Sequence, residues 1–193
     1  RAPAQPSCAR TNPAHAVRPC SIATFEARER ALSPDEVGIA FRLLEQVATY
    51  PTNRLALRLV LLTMIRKGML IGAMWDEIRW QDAIWEVPAA RMKARKAHLV
   101  YLSQQALDIL IALKTCAGSS PYIVPGRYDG DRSISMATLN QVTKLIGTRA
   151  VEQSLPLAHF TVHDLRRTAS TLLHEAGFNS DWIEKCLAHE QRG

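Results

Sequence analysis

Residues 161–189 read TVHDLRRTASTLLHEAGFNSDWIEKCLAH, and this stretch decides the fold prediction. The spacing of its apolar residues predicts an amphipathic helix over residues 162–176. Gly177 follows at once, and glycine is the residue that most often ends a helix. A second helix is predicted over residues 181–187. The stretch therefore predicts two consecutive helices separated by a tight turn.

His163 and Arg166 carry the chemistry that this stretch indicates. They are three residues apart, so a helix places both side chains on one face. An imidazole beside a planar, bidentate guanidinium is suited to binding phosphate oxygens. Arg167 is expected to point elsewhere, as a surface or DNA-backbone residue, and His189 either complements a helix C-terminus or joins the site. If Arg166 faces a solvated groove, its replacement by alanine is expected to cost little stability.

Outward from this stretch, apolar periodicity predicts five more helical segments. They begin at residues 33, 55, 69, 103 and 138, and the one from residue 55 is predicted to continue to Gly68. Alternating patterns predict strands over residues 84–88 and 98–102, with a basic hairpin between them. Residues 122–125 fit either a third strand or a loop. The predicted fold class is mainly α with a small antiparallel β-sheet, an α+β fold.

The first 30 residues differ from the rest in composition. They are rich in Pro, Ala, Arg and Ser and lack apolar periodicity, so a linker or extended arm is predicted for residues 1–30. Residues 31–193 are predicted to form one domain. Since the sequence does not begin with Met, we expect it to be part of a larger protein with a further domain upstream.

Charge and cysteine usage limit the functional classes. The chain has 24 Lys and Arg against 18 Asp and Glu, a net charge of +6, which favours polyanionic partners. Cys8, Cys20, Cys116 and Cys186 are too scattered to predict a disulfide framework or zinc site. No apolar run approaches the roughly 18 residues that span a bilayer. We therefore expect a cytoplasmic protein with no membrane association.

Two further basic positions have alternative interpretations. Arg66 lies near the end of an otherwise apolar helix, so its guanidinium either extends to solvent along the surface or serves a polar site. Lys93 lies in the predicted hairpin beside Arg91, Arg95 and Lys96, where a solvated basic turn is the simpler interpretation. Neither position indicates a site on its own. Their order along the chain carries more information.

An arginine, then a lysine in a hairpin, then His-x-x-Arg and Leu-Ala-His resembles the catalytic domain of the tyrosine recombinases, also called phage integrases. The match covers about residues 31–193 and is most specific at residues 161–189 and in RMKARKAHLVYLS, residues 91–103. Both are similar to integrases of prophages and genomic islands. The resemblance implies five active-site residues: Arg66, Lys93, His163, Arg166 and His189. It also implies that DNA contacts come from Arg91, Arg95, Lys96 and Arg167.

The resemblance implies DNA breakage and rejoining without a metal or other cofactor. In this family a tyrosine hydroxyl attacks the scissile phosphate, giving a 3′-phosphotyrosyl link and a free 5′-hydroxyl. The two arginines would stabilise charge on the phosphoryl oxygens. Lys93 would protonate the leaving oxygen, and His163 would assist proton transfer at the nucleophile. The implied partner is double-stranded DNA, bound by a homotetramer of the full-length protein, with a monomer expected for this chain alone.

The position of the tyrosines departs from the family pattern. The family's nucleophile follows the second histidine, whereas this chain carries tyrosine only at positions 50, 101, 122 and 128. We therefore expect a catalytic domain truncated before its nucleophile, unable to cleave DNA by itself.

A second departure surrounds Arg66. The family usually reads Thr-Gly-x-Arg-x-Gly-Glu, whereas here Met64 and Met69 occupy the first glycine and the glutamate positions. Met69 removes a carboxylate that could orient Arg66. A non-catalytic DNA-binding remnant or regulator therefore stays open as an alternative. An unrelated helical protein with a basic surface is favoured if the five residues do not converge in space.

Overall fold

The computed structural model describes residues 30–92 and 94–188. This part of the chain confirms the predicted class, since it is mainly helical and has one small antiparallel sheet. Its helices are α1 (Pro34–Gln46), α2 (Pro51–Thr63), α3 (Lys67–Ile71), α4 (Gln104–Ala117), α5 (Thr138–Glu152), α6 (Val162–Glu175) and α7 (Ser180–Cys186). Its strands are β1 (Ile78–Arg79), β2 (Ile84–Val87) and β3 (His98–Tyr101).

Helix α1 begins as its sequence predicts. The Ser33 hydroxyl accepts from the Glu36 amide at 3.2 Å, and the Glu36 carboxylate accepts from the Ser33 amide at 3.0 Å. This reciprocal cap satisfies two backbone donors that a helix N-terminus otherwise leaves without partners. Arg30 reinforces the start by donating to the Glu36 carboxylate at 2.6 Å. The arm predicted over residues 1–30 otherwise lies outside the described residues.

Helix α2 ends earlier than predicted. The helical pattern indicated a continuation to Gly68, but α2 stops at Thr63 and Met64 adopts the left-handed conformation, with φ 53° and ψ 23°. Residues 64–66 are not helical, and Arg66 lies at the N-cap of α3. Periodicity did not reveal the break because Met64 and Ile65 are both buried, as they would be on a continuing apolar helix.

The three strands form an antiparallel sheet in the order β1-β2-β3. Trp85 on β2 pairs with Ile78 on one side and Val100 on the other, and its fully buried indole donates to Glu77 at 3.0 Å. The third strand is therefore β1, whereas Tyr122 forms only an isolated bridge with Met74. The register places the basic hairpin between β2 and β3.

Helix α2 is the centre of the core, because it packs against α4, α5 and α6. Its Leu57, Leu59 and Val60 are almost completely buried. A second, smaller cluster lies where α7 meets the ends of α2 and α6, and its buried members are Met64, Ala169, Ile183 and Leu187. We call this group the α7 cluster. In the described part of the chain, no helix has the length and apolar character to cross a membrane.

Candidate active site

Helix α6 carries the His163–Arg166 motif, and a capping box fixes where the helix begins. The Thr161 amide donates to the Asp164 carboxylate at 2.8 Å, and the Asp164 amide donates back to the Thr161 hydroxyl at 3.3 Å. Asp164 is buried, and its carboxylate stabilises the N-terminus of α6. The cap therefore sets the position of the motif residues on either side of Asp164.

Arg166 is buried, so the condition for a small loss of stability on its replacement, a side chain facing a solvated groove, is not met. Only 4% of the residue is exposed, and its guanidinium donates to the backbone carbonyls of Met64 and Leu187. One side chain of α6 thus joins the end of α2 to the end of α7. The planar fork of five donors explains this arrangement, because it can engage two acceptors and still present an N–H group elsewhere.

The electrostatic environment of Arg166 is unfavourable for a cation. Burial, and to a smaller extent the nearby charge of Arg66, lower its pKa to about 10, while Glu184 acts in the opposite direction. The positive charges of the two guanidiniums are not fully neutralised by acidic groups nearby. An anion that binds between them therefore stabilises the charged pair.

Arg66 is the second guanidinium of the site. It lies between α2 and α3 and is partly exposed. Its positive charge also lowers the pKa of His163 and of His98, in addition to that of Arg166. Arg66, His163 and Arg166, predicted from separate parts of the sequence, therefore lie near enough for their charges to interact.

His163 is an exposed imidazole at the edge of this group. Partial desolvation of the ring lowers its pKa below 6.5, and the positive charges of Arg167 and Arg166 lower it further, whereas Asp164 raises it. The ring is therefore neutral at neutral pH and can both accept and donate a proton. Arg167 was expected to point away, but its charge reaches His163 more strongly than that of Arg166.

Sequence reasoning missed His98, the first residue of β3. Its half-buried imidazole lies near the backbone of Cys186 and near both Arg66 and Arg166. Burial lowers its pKa below 6.5, and the two arginines act in the same direction. A signal was available, because strand alternation places His98 on the same face as the buried Val100. A histidine on the inward face of a strand needs a polar partner.

The basic hairpin divides into an anchored part and an exposed part. Arg91 donates to the Glu77 carboxylate and to the Met69 carbonyl, the latter at 2.8 Å, so it fixes the base of the hairpin to α3. Arg95 and Lys96 are exposed, and Arg95 has a left-handed backbone with φ 52°. Lys93 and His189, the other two predicted site residues, lie outside the described residues.

Taken together, the site consists of two guanidiniums and two neutral imidazoles at the junction of α2, α6, β3 and α7. Such a group can bind a phosphodiester through charge-assisted hydrogen bonds and can move a proton near it. Within residues 30–92 and 94–188, no group of three or more His, Cys, Asp or Glu residues could hold a metal ion.

Comparisons with known proteins show the family to which the chain belongs. The model of the phage integrase family matches residues 30–192. The prophage integrase IntA of Escherichia coli strain K12 is 34% identical over 159 residues, which are 82% of this chain and 37% of that protein. The integrase of Enterobacteria phage P4 is 31% identical over 153 residues, 72% of this chain and 34% of that one. The chain therefore spans little more than a third of the length of these relatives.

Solved structures share the fold. A lambda integrase tetramer bound to a Holliday junction superposes with a TM-score of 0.69 at 21% identity, covering 94% of this chain and 52% of that one. The Tn1549 transposon integrase in complex with a circular intermediate DNA gives a TM-score of 0.75 at 10% identity, covering 86% and 60%. At these identities the likeness concerns the fold alone.

Proposed function

This chain belongs to the phage integrase family, and from that premise we propose that it is the DNA-binding catalytic domain of a site-specific tyrosine recombinase. The reaction is DNA breakage and rejoining through a 3′-phosphotyrosyl intermediate. The observation that carries the proposal is the pairing of Arg66 with the buried Arg166, because two adjacent guanidiniums form a preorganised site for the scissile phosphate.

The roles of the described residues follow from their positions. Arg166 is held by two backbone carbonyls, so its remaining donors are preorganised for the phosphate. Arg66 is partly exposed and closes the other side of the phosphate. His163, neutral at neutral pH, accepts the proton of the attacking hydroxyl. In this proposal Lys93 protonates the leaving 5′-oxygen and His189 completes the phosphate contacts.

We assign DNA contacts outside the phosphate site to the exposed Arg95 and Lys96 and to the half-buried Arg167. Arg91 was predicted to contact DNA as well, but its guanidinium is engaged with Glu77 and Met69. We therefore propose that Arg91 acts by holding the hairpin in place.

The first test measures DNA binding by the purified chain. Affinity for a short duplex is expected to fall steeply with salt, because phosphate contacts release counterions. Arg66→Ala is expected to weaken binding roughly 5- to 10-fold at low salt and to reduce the salt slope by about one. Arg132→Gln, which removes one charge from an 83% exposed side chain outside the site, is the matched control. Equal effects of the two substitutions would contradict the assignment of Arg66.

The second test concerns covalent chemistry. None of the four tyrosines follows the His163 motif, and Tyr101 and Tyr128 are 74% and 88% exposed on the surface. We propose that the 193 residues by themselves form no phosphotyrosyl adduct. The measurement is denaturing electrophoresis of the chain with a nicked suicide substrate. A covalent protein–DNA band that disappears on a Tyr→Phe change would overturn this part of the proposal.

A non-catalytic DNA-binding protein is the second candidate. The observation that favours it is Met69, a buried apolar side chain where the resemblance expects a carboxylate near Arg66. The two candidates differ in one experiment, in which the C-terminal segment of the IntA prophage integrase is fused after residue 193. Adduct formation by the fusion supports the recombinase, whereas duplex binding without any adduct supports the second candidate.

The assembly is also part of the proposal. We propose that the full-length protein forms a homotetramer on double-stranded DNA. We propose that this chain alone is a monomer. Its proposed location is the cytoplasm, with its DNA substrate. Sedimentation of the purified chain, alone and with duplex, measures the assembly directly.

A further inference from the structure

The buried carboxylate of Glu77 has no part in the mechanism proposed above. Glu77 ends a short 3₁₀ turn just before β1, and its side chain is only 7% exposed. One carboxylate oxygen accepts from the Met74 amide at 3.2 Å, and the other accepts from the Trp85 indole at 3.0 Å and from Arg91. A buried charge is costly unless it is paired and hydrogen-bonded. Arg91 supplies the cation that this carboxylate requires.

Arg91 connects this carboxylate to the turn that carries Arg66. One terminal nitrogen of its guanidinium donates to Glu77, and the other donates to the Met69 carbonyl at 2.8 Å. The Met69 amide in turn donates to the Arg66 carbonyl at 2.9 Å, in the first turn of α3. A continuous set of hydrogen bonds thus runs from Glu77 through Arg91 and Met69 to the backbone of Arg66.

Gly72, at the end of α3, leaves the space that the Arg91 side chain occupies. A Cβ atom at position 72 would lie 3.1 Å from Nη1 of Arg91 and 3.3 Å from its Cδ. These distances are shorter than the roughly 3.5–4.0 Å at which carbon atoms pack best. The backbone at Gly72, with φ −84°, is one that other residues also adopt. Alanine at this position would therefore be disfavoured by Arg91 and not by the backbone.

We propose that Glu77 is a positioning residue for the phosphate site. By holding Arg91, it couples the turn that carries Arg66 to the basic hairpin that carries Lys93. The link uses the main-chain carbonyl of Met69, so it does not need the carboxylate that the resemblance expects at position 69. Its relevance to DNA rests on the function proposed above, whereas the link itself can be measured without DNA.

Duplex binding at low salt tests the positioning role, because charge and geometry predict opposite results. Glu77→Gln removes a negative charge, which by itself strengthens attraction to DNA. If Glu77 positions the site, the substitution is instead expected to weaken binding roughly two- to fivefold. Arg91→Lys keeps the positive charge but lacks the planar fork that reaches both Glu77 and the Met69 carbonyl, so a similar loss is expected.

Glu86→Gln is the matched control for charge. It makes the same substitution on a side chain of β2 that is 46% exposed. Because Glu86 is exposed and does not contact Arg91 in the described structure, its replacement is expected to leave duplex binding unchanged or slightly stronger.

Hydrogen exchange of backbone amides tests the link without DNA. Glu77→Gln and Arg91→Lys are both expected to speed exchange on the two sides of the link, roughly fivefold. One side is the first turn of α3, where Met69 and Leu70 donate to the Arg66 carbonyl, and the other is the amide of Met92 in the hairpin. The amides of α4 are expected to stay protected.

Gly72→Ala is expected to reproduce this local pattern without changing any charge, because it displaces Arg91. Gly38→Ala on α1 is its control, since a Cβ atom there meets nothing within 4 Å. The control is expected to leave exchange in α3 and the hairpin unchanged. Equal exchange in the two alanine variants would mean that Arg91 is not held against α3.

The outcomes separate this inference from the proposed function. If Arg66→Ala leaves affinity unchanged, the phosphate site fails, and exchange alone decides whether the link exists. If Arg66→Ala weakens binding while Glu77→Gln leaves it unchanged or stronger, only the role of Glu77 fails. Faster exchange spread evenly over α2 and α4 would also overturn the inference, because that pattern indicates a general loss of stability.

Discussion

Helices α6 and α7 are consecutive in the sequence but are held in different ways. Helix α6 begins at a capping box and packs against α2 and α5, with Leu165 and Thr168 almost completely buried. Helix α7 is half as long and rests on the small α7 cluster and on the hydrogen bond from Arg166 to the Leu187 carbonyl at its end. One helix is part of the core, and the other is attached to it.

Because of this difference, Arg166 on α6 is held in one position, whereas the segment after α7 can move more easily. Arg166 is fixed because its helix is fixed, and burial and hydrogen bonding keep its guanidinium in one orientation. The segment after α7 depends on that same guanidinium, since Leu187 accepts a hydrogen bond from it. Stability is not uniform across a fold, and a short, lightly packed helix opens before the core does. The end of α7 is therefore expected to be the first part of the site to move.

Among substitutions at the contacts of α7, the largest effect is expected from Arg166→Ala, which breaks the contact shared by the two helices. It leaves two buried carbonyls without donors, and we expect the free energy of unfolding to fall by about 2–4 kcal/mol. Arg166→Lys keeps the charge but cannot span both carbonyls, so an intermediate loss is expected. Urea denaturation measures both.

Glu175→Gln is the control for this pair, since it changes an exposed residue near the end of the same helix. We expect it to stay within about 0.5 kcal/mol of the unchanged protein. An Arg166→Ala variant that is equally stable would mean that the guanidinium does not join α2 to α7.

A second, smaller effect is expected from Ile183→Ala in the α7 cluster. The substitution removes packing from a side chain that is 2% exposed, and we expect hydrogen exchange to increase in α7 while the amides of α2 stay protected. Leu57→Ala in the main core is the comparison and is expected to cost about 2–5 kcal/mol and to affect the whole fold. Equal, global effects would show that α7 is as much a part of the core as α2.

The smallest effect concerns the left-handed residue that ends α2. Both Met64→Ala and Met64→Gly lose the buried side chain, but only glycine tolerates φ 53° without strain. We expect the glycine variant to be more stable than the alanine variant by about 1 kcal/mol. The matched pair is Val151→Ala and Val151→Gly on α5, where the ordinary helical preference for alanine applies. If alanine were the more stable variant at position 64 as well as at position 151, the predicted backbone strain at Met64 would be wrong.

Much of this organisation could be predicted from the sequence. The caps at Ser33 and Thr161, the paired strands and the helix periodicities are local patterns, and each has a direct physical cause in a few neighbouring residues. The convergence of Arg66, His163 and Arg166 was predicted only through a family resemblance, since no local pattern reports distance in space.

The remaining features depend on tertiary contacts. The helical break at Met64 was missed because an apolar residue in a left-handed turn looks like a continuing helix. The burial of Arg166 was missed because its partners are main-chain carbonyls, which leave no trace in the sequence. His98 was missed because the residues near its ring, Arg66, Arg166 and Cys186, lie far from it along the chain.

The left-handed turn at Met64 directs a main-chain carbonyl, not a side chain, towards the site. An acceptor of this kind is present whichever amino acid occupies the position, so a methionine in place of the glycine that the resemblance expects retains the contact to Arg166. Methionine in place of glycine raises the free-energy cost of the left-handed backbone at position 64. The contact to Arg166 is thus partly independent of which residue occupies this position.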